Sequence, residues 1–323
     1  MLHTPNQSLF HTEDLSLPML SNPVPISPLN PKEQVSLVGR ISVSEVISLY
    51  QSLKIDVSSF FNGLDEIKIY QGQQSGFSFF YPDHLAGDSG FYEQLQAFDW
   101  YYDPWKWEHE QASQFCNARM KVLEVGCGQG SFLAELTRRL HIHAVGLELN
   151  HAAQREGVAA GIDICLESVV EHADAHPNHY DLVCSFQVLE HISSVRSFLE
   201  GQIACLKPGG LLINCVPNND SFIKHAENNP MNMPPHHMGL WTEQSLRKLP
   251  DFFPVDLVSI IYEPLQRYHL EWFLNIFEQQ RLKTKWQQFF YYRLKIRSFL
   301  AKVLWRFPKL VKGHSIMAVY RKK

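Results

Sequence analysis

The sequence predicts an α/β protein built on a doubly wound, mostly parallel sheet, and three observations carry that prediction. Lys121 to Val125 is a short apolar, β-prone run that ends on a cluster of glycines at 126, 128 and 130. Ser131 to Leu140 follows with helical spacing, and Val145 to Leu149 is a second buried run, so strand, glycine turn, helix and strand form one βαβ unit. The alternation then continues, with strands expected at Ile162–Leu166, Tyr180–Phe186 and Leu211–Val216 and helices at Ala152–Ala160 and Val195–Leu206. In such a sheet a ligand sits over the carboxyl ends of the strands, at the glycine turn.

The turn itself narrows the ligand. Glycines let the backbone approach a ligand without a Cβ in the way, and Glu148, closing the second strand, is placed to accept both hydroxyls of a ribose. A dinucleotide fingerprint carries its third glycine three places after the second, where pyrophosphate meets the helix N-terminus. That place is Ser131 here, and the spacing is GxGxG. Glu124, two residues before the first glycine, would repel pyrophosphate and welcome an α-amino group. A cationic, phosphate-free nucleoside fits better.

The residues EVGCGQG and GLELN resemble motif I and the following acidic position of class I S-adenosylmethionine (SAM) methyltransferases. YDLVCSFQVLEHI (180–192) is similar to their fourth-strand motif and LKPGGLLINCVPN (206–218) to their fifth-strand turn and strand, in the same order. VPNNDSFI and PPHHMGLW extend the likeness toward small-molecule methyltransferases of the ubiquinone-pathway and surface-glycan-cluster kind. The resemblance implies a Rossmann-like seven-stranded sheet whose last strand is antiparallel. It also implies SAM as cofactor, with contacts at Glu124, Gly126, Gly128, Gly130, Glu148, Leu149, Ser168, Val169 and Gln187.

Taken in order, residues 1–33 are rich in Pro, Ser and Asn and are expected to form a loose arm. Residues 34–103 are expected to be an α+β accessory module: helical stretches within Val35–Phe61, where Ser42 or Ser44 would cap SVSEVISLYQSL, then a hairpin over Ile67–Tyr81 turning at GQQSG. No cysteine precedes Cys116, so no metal is expected in this module. Phe91–Trp107 holds eight aromatics in seventeen residues. Such a stretch either packs the module onto the core or closes over the cofactor, and Tyr101, Tyr102 and Trp107 are the lid candidates. The methyltransferase domain is expected over 104–323, with Glu108–Ala118 a helix leading into its first strand.

Beyond the fourth strand, Gln187, Glu190 and His191 share one face of a helical turn. His191 is a candidate general base, or the pair simply caps the next helix; Glu190 with His191 would need a third anchored ligand to hold a metal, so none is expected. The polar stretch Pro217–Trp241 has four prolines and no periodicity, and a loop this long at the active end of a sheet is usually functional. His236 and His237 are its candidates for the acceptor site, or one of them caps the helix Thr242–Leu249. Pro254–Tyr262 and Gly313–Tyr320 complete the strands, and 263–312 is an insertion that the core does not require.

Composition bounds the rest. The 323 residues, 45% hydrophobic, supply a sizeable core. Six scattered cysteines without a CxxC pair read as reduced core residues in a cytoplasmic protein. The opening MLHTPNQSLFHTEDL lacks a basic start and an apolar run, so no secretory leader is expected. Net charge is −4, but Arg281–Lys323 holds 13 Lys and Arg and no acid, which leaves 16 Lys and Arg against 33 Asp and Glu before it. Within that basic end Phe289, Tyr292, Ile296, Leu300, Val303 and Phe307 recur at helical spacing. A basic amphipathic helix over 285–309 either packs on the domain or contacts the inner surface of an anionic membrane; nucleic acid ranks last, since no RNA-binding pattern accompanies the charge.

The expected reaction is methyl transfer from SAM to a hydroxyl of a small-molecule, sugar or lipid-linked glycan acceptor, with His191, His236 and His237 as candidate bases. Two other readings stand beside it: an NAD-linked oxidoreductase using Glu148 on the adenosine ribose, and a non-catalytic SAM-binding scaffold. Neither the acceptor nor the oligomeric state is legible at this level.

Overall fold

The computed structural model describes residues 24–96, 105–226 and 229–323. Its first element is β1 (Val35–Ser42), followed by α1 (Val43–Ser52). Helical stretches were expected within Val35–Phe61, and α1 is one of them; the first residues, Val35–Ser42, are instead a strand, because their backbone finds an antiparallel partner in β2 (Glu66–Gly72). Ser42 occupies the N-cap position of α1, yet its hydroxyl meets Ser44 Oγ at 2.8 Å and no backbone amide. β2 turns through residues 73–77 into β3 (Ser78–Tyr81), the expected hairpin.

The arm expected to be loose as far as residue 33 is packed at its end. Leu29 is fully buried in the main core. The buried Glu33 carboxylate accepts from Ser27 Oγ (2.7 Å), Gln74 N (3.1 Å), Ser75 N (2.9 Å) and Ser75 Oγ (2.9 Å). Apolar burial at one residue and a satisfied carboxylate at another outweigh the local bias of Pro and Asn toward open coil.

α2 (Ser89–Gln96) and α3 (Trp107–Ser113) lead to the large sheet. Its strands enter as β4 (Lys121–Val125), β5 (His143–Leu147), β6 (Ile164–Cys165), β7 (Tyr180–Phe186) and β8 (Leu206–Pro217), with α4 (Ser131–Leu140), α5 (His151–Ala159), α6 (Val169–Ala175) and α7 (Val195–Cys205) between them. After β8 the chain contributes β9 (Gly239–Leu240), α8 (Glu243–Arg247) and β10 (Val255–Pro264). Three helices, α9 (Leu270–Arg281), α10 (Lys285–Arg293) and α11 (Ile296–Arg306), precede the final β11 (Lys312–Lys322).

The strand order is β10-β11-β8-β7-β4-β5-β6, with β11 antiparallel to both neighbours and the other pairs parallel, so the seven strands and the antiparallel last strand are as expected. The chain begins this sheet at β4, builds outward to β6, then crosses back to β7 on the other side of β4. That reversal opens a crevice between the carboxyl ends of β4 and β7. Side chains alternate across the sheet: Leu123 and Val125 enter one core and Val122 the other, so both faces are covered.

The smaller sheet has the order β1-β2-β3-β9. Its last strand comes from the long loop after β8, where Phe79 pairs with Gly239 and Ser78 with Leu240. Fully buried Trp241 then lies against Phe77, ring centroids 4.4 Å apart. The loop read as aperiodic is thus sewn to the amino-terminal sheet.

The helix expected over 285–309 is two helices. Lys295 adopts a left-handed conformation (φ 54°) between them, and this reversal re-phases the faces. Tyr291 and Leu304 are buried, whereas Phe289, Tyr292 and Phe307, expected on the packed face, are more than half exposed. Leu304 joins Leu270, Leu274 and Ile276 of α9 in a small core of their own. Arg297 bonds Glu271 Oε2 (2.6 Å) and Asn275 Oδ1 (3.0 Å) and pairs with Glu278.

Candidate active site

The glycine turn after β4 is held open by backbone conformation. Gly126, Gly128 and Gly130 have φ of 74°, 55° and 77°, a region that L side chains rarely adopt. A Cβ on Gly126 would lie 2.6 Å from Val188 Cγ2, and one on Gly130 2.9 Å from Ile162 Cγ2. Val188 belongs to the turn after β7, so the first glycine and that turn are packed together. The Glu148 carboxylate sits above: Oε2 accepts from Gly128 N at 2.8 Å, and Oε1 from Leu149 N (2.8 Å) and Asn150 N (2.7 Å). Asn150 Oδ1 caps α5 through Ala152 N and Ala153 N.

Glu124 is buried beside this turn, and its Oε2 has no hydrogen-bond partner among the described residues. Burial, with the nearby Glu148 charge added, holds its carboxyl well above the usual range. Of the other cofactor candidates, the Leu149 side chain is exposed while Val169 is buried in the main core. The Ser168 hydroxyl is engaged with Glu171 in the capping box of α6. Gln187 has φ 54° and its Nε2 donates to Ser315 Oγ of β11 at 3.3 Å. The segment therefore brings Glu124, the three glycines and Glu148 together; Ser168, Val169 and Gln187 carry other bonds or packing.

A second constellation adjoins the first. His191, His236 and His237 come together although 45 residues separate the first two: ring centroids are 4.5 Å apart for His191–His236, 5.0 Å for His191–His237 and 4.6 Å for His236–His237. The backbone bond from Met238 N to Glu190 O (2.8 Å) brings the loop to the turn, and Phe80 N to Met238 O (3.0 Å) brings it to β3. Each Nδ1 faces an oxygen: His236 O at 2.6 Å for His191, Met231 O at 2.9 Å for His236, and Asn232 Oδ1 at 3.0 Å for His237. Burial pushes His191 down to about 4 and the other two well below the ordinary histidine value, His236 aided by His191 and His237 by both neighbouring imidazoles. Glu190 is buried beneath them and pushed up to about 8, chiefly by burial.

The aromatic stretch supplies a cover, though through a residue sequence reasoning passed over. Tyr92 on α2 sits edge-on to His191, centroids 5.7 Å apart, and 6.2 Å from His236. Tyr101 and Tyr102 lie outside the described residues. Trp107, at the start of α3, packs against the core that contains Phe132 and Phe186. The helical spacing of Phe91, Tyr92 and Leu95 was the one available signal for Tyr92, since Phe91 and Leu95 are buried and leave Tyr92 on the border of that face.

With this geometry in view, the relatives take on meaning. Residues 100–251 match a methyltransferase-domain family. The matched segment includes the glycine turn, Glu148 and all three histidines. Ubiquinone biosynthesis O-methyltransferases of Yersinia pestis and Yersinia pseudotuberculosis are 35% identical to this chain over 96 residues, 28% of this chain and 39% of theirs. The chain thus spans about 39% of the length of those curated relatives. Among solved structures, a SAM-dependent methyltransferase from Archaeoglobus fulgidus is similar at 16% identity and a TM-score of 0.43, covering 67% of this chain and 94% of that one.

Proposed function

We propose that this chain is a SAM-dependent methyltransferase that transfers a methyl group to a hydroxyl of a small-molecule acceptor, of which a sugar or lipid-linked glycan is the favoured class. The observation that carries the reading is the Glu148 carboxylate standing over the Gly126–Gly130 turn at the switch point of the sheet. The residues fit SAM: Glu148 would take the ribose hydroxyls, the glycines would admit the donor close to the backbone, and the unpartnered oxygen of Glu124 would receive the α-amino group. SAM supplies a sulfonium whose methyl carbon is open to in-line attack. The chain's own task is to hold the acceptor oxygen in line and keep water away. The histidine cluster beside the turn is where the acceptor's proton would leave, and Tyr92 closes that side from solvent.

The test is calorimetric titration with SAM, with NAD as the parallel ligand, on the parent chain and on Glu148→Ala. Saturable SAM binding that collapses in the variant supports the reading. Well-folded protein that binds NAD and not SAM would replace it with the oxidoreductase alternative, and SAM binding without turnover on any acceptor would favour a scaffold.

α10 and α11 expose Trp286, Phe289, Phe290, Phe299 and Trp305 in the 281–323 stretch that carries 13 basic residues and no acid. Aromatics set among cations suit an anionic lipid interface, each Lys or Arg near the headgroups contributing about 1 kcal/mol. Co-sedimentation with phosphatidylserine vesicles, lost with neutral vesicles and in a Trp286→Ser, Phe290→Ser double variant, is the expected result. No helix among the described residues is long and apolar enough to cross a membrane.

A further inference from the structure

We propose that the buried pair His172 and Tyr180 is a positioning device for Glu167, and that Glu167 reads the exocyclic amine of the cofactor's adenine. The adenine contact rests on the methyltransferase reading above; the bonds among the three residues do not. Glu167 stands two places beyond β6, and Ser168 after it caps α6. Leu147 of β5 pairs with Cys165 of β6, and Glu148 N donates to Cys165 O at 3.1 Å. Glu148 and Glu167 therefore leave the same edge of the sheet from adjacent strands, about 4.8 Å apart.

The direction of the ligand follows from the strand order. With the reacting end in the crevice between β4 and β7 and the ribose on Glu148 at the end of β5, the base lies over the end of β6. What waits there is apolar with one open acceptor. Leu149 and Leu166 are 66% and 42% exposed, a surface that suits a flat ring. Glu167 is one-third exposed, and its Oε2 has no hydrogen-bond partner among the described residues. Ser168, its neighbour, spends its hydroxyl on Glu171 Oε2 at 2.7 Å. An open carboxylate oxygen matches the N–H of adenine and repels the carbonyl that hypoxanthine carries at the same ring position.

A carboxylate on a turn selects only if it is held. His172 Nδ1 meets Glu167 Oε1 at 2.6 Å, and Nε2 meets Tyr180 Oη at 2.8 Å. The imidazole is 1% exposed and the tyrosine 2%. Because a carboxylate only accepts, Nδ1 carries a proton. Burial pushes the Tyr180 phenol up, so its hydroxyl stays intact as the partner of Nε2. His176 stacks on the ring of His172, centroids 4.2 Å apart and planes 15° from parallel. Two bonds in the ring plane and one stacked face give His172 a single orientation, and Glu167 with it. Cys165 converges on the same two residues within 4.8 Å, but with both ring nitrogens bonded the group holds a carboxylate in place and not a metal.

The test compares S-adenosylhomocysteine with S-inosylhomocysteine, which differ only at the amine, by calorimetry on the full chain. The parent is expected to prefer the amine by about 10-fold or more, the discrimination of a charge-assisted hydrogen bond. Glu167→Ala should abolish that preference. His172→Phe keeps a ring in the space and removes both bonds, so most of the preference should go while affinity for the inosine ligand holds. His172→Asn, whose amide can place an N–H where Nδ1 stood, should restore much of it, a rescue that a general loss of structure would not show. Tyr180→Phe removes the outer bond alone and should lower the preference by a smaller factor, which keeps the role of the pair testable if His172→Phe does not fold. Equal affinity of the parent for the two ligands, or a preference unchanged in Glu167→Ala or in Tyr180→Phe, would overturn the proposal.

NAD and its hypoxanthine analogue, titrated in parallel, separate the readings. A chain that binds NAD and not S-adenosylhomocysteine loses the methyltransferase reading, and an amine preference that disappears in Glu167→Ala then leaves the Glu167 assignment standing. Folded protein that binds neither pair overturns both.

Discussion

Glu148 Oε2 accepts the backbone N–H of Gly128 at 2.8 Å, so a carboxylate at the end of β5 braces the glycine turn at the end of β4. Replacing it by glutamine removes the charge and leaves one acceptor oxygen, so either Gly128 N or the Leu149 and Asn150 amides then face an NH2 group. Glu148→Gln is expected to fold with a lowered Tm and to weaken SAM binding by about 10-fold to 100-fold, the loss of charge-assisted bonds worth about 1.5–3 kcal/mol. Calorimetry and a thermal melt on the same sample check it, and unchanged affinity would remove Glu148 from the ribose contact.

Gly126 combines a left-handed φ with a crowded Cβ position, whereas Gly209 has φ 78° and open space around it. Gly209→Ala therefore reports the backbone cost alone, on the order of 1 kcal/mol. Gly126→Ala is expected to cost more, about 2–4 kcal/mol, because the methyl meets Val188. Adding Val188→Ala should recover the steric share and no more, read from urea unfolding midpoints.

Glu33 ties the amino-terminal segment to the β2–β3 hairpin through four accepted hydrogen bonds. Glu33→Ala leaves Ser75 N and Gln74 N without their acceptor, at a cost of about 2–4 kcal/mol. Its carboxylate also lies where a Cβ on Gly72 would fall. Equal stability of the variant in urea would mean that this segment is not part of the folded unit.

His109 is buried among Trp105, Phe132 and Phe186, with Nδ1 accepting from Lys106 N at 3.2 Å. Burial, with the Lys106 charge second, pushes it down from 6.5 to about 3. A folded-state value below the unfolded one means that the stabilisation is complete above pH 6.5 and is lost as pH falls toward 3. The parent chain should lose about 2 kcal/mol between pH 6 and pH 4 from this group. In His109→Phe that part of the slope should vanish whatever the variant's absolute stability, as denaturant titrations at several pH values would show.

How far the sequence could be read depended on how local the determinant was. The glycine turn, Glu148 and the strands of the large sheet were legible because apolar runs and glycines declare themselves within a dozen residues. Gly239 and Leu240 were not, since a two-residue strand has no period and exists only because β3 offers an edge. The break at Lys295 was hidden as well: neither Gly nor Pro marks it, and the reversal depends on α11 packing back on α9. Leu29 looked like coil because its pocket is made by the core and not by its neighbours in sequence. The histidines were individually visible, but that His191 meets His236 and His237 is a property of the fold.

The dependence of β3 on β9 also has a consequence in time. Roughly 160 residues separate Tyr81 from Gly239, so during synthesis at about 5–20 residues per second the edge of β3 waits some 10–30 s for its neighbour. Over that interval Phe79 and Phe80 border an unpaired strand edge, a hazard for association between nascent chains. A ribosome pause or premature stop before residue 239 would prolong that exposure, and arrested fragments of this chain should be bound by chaperones where the finished protein is not.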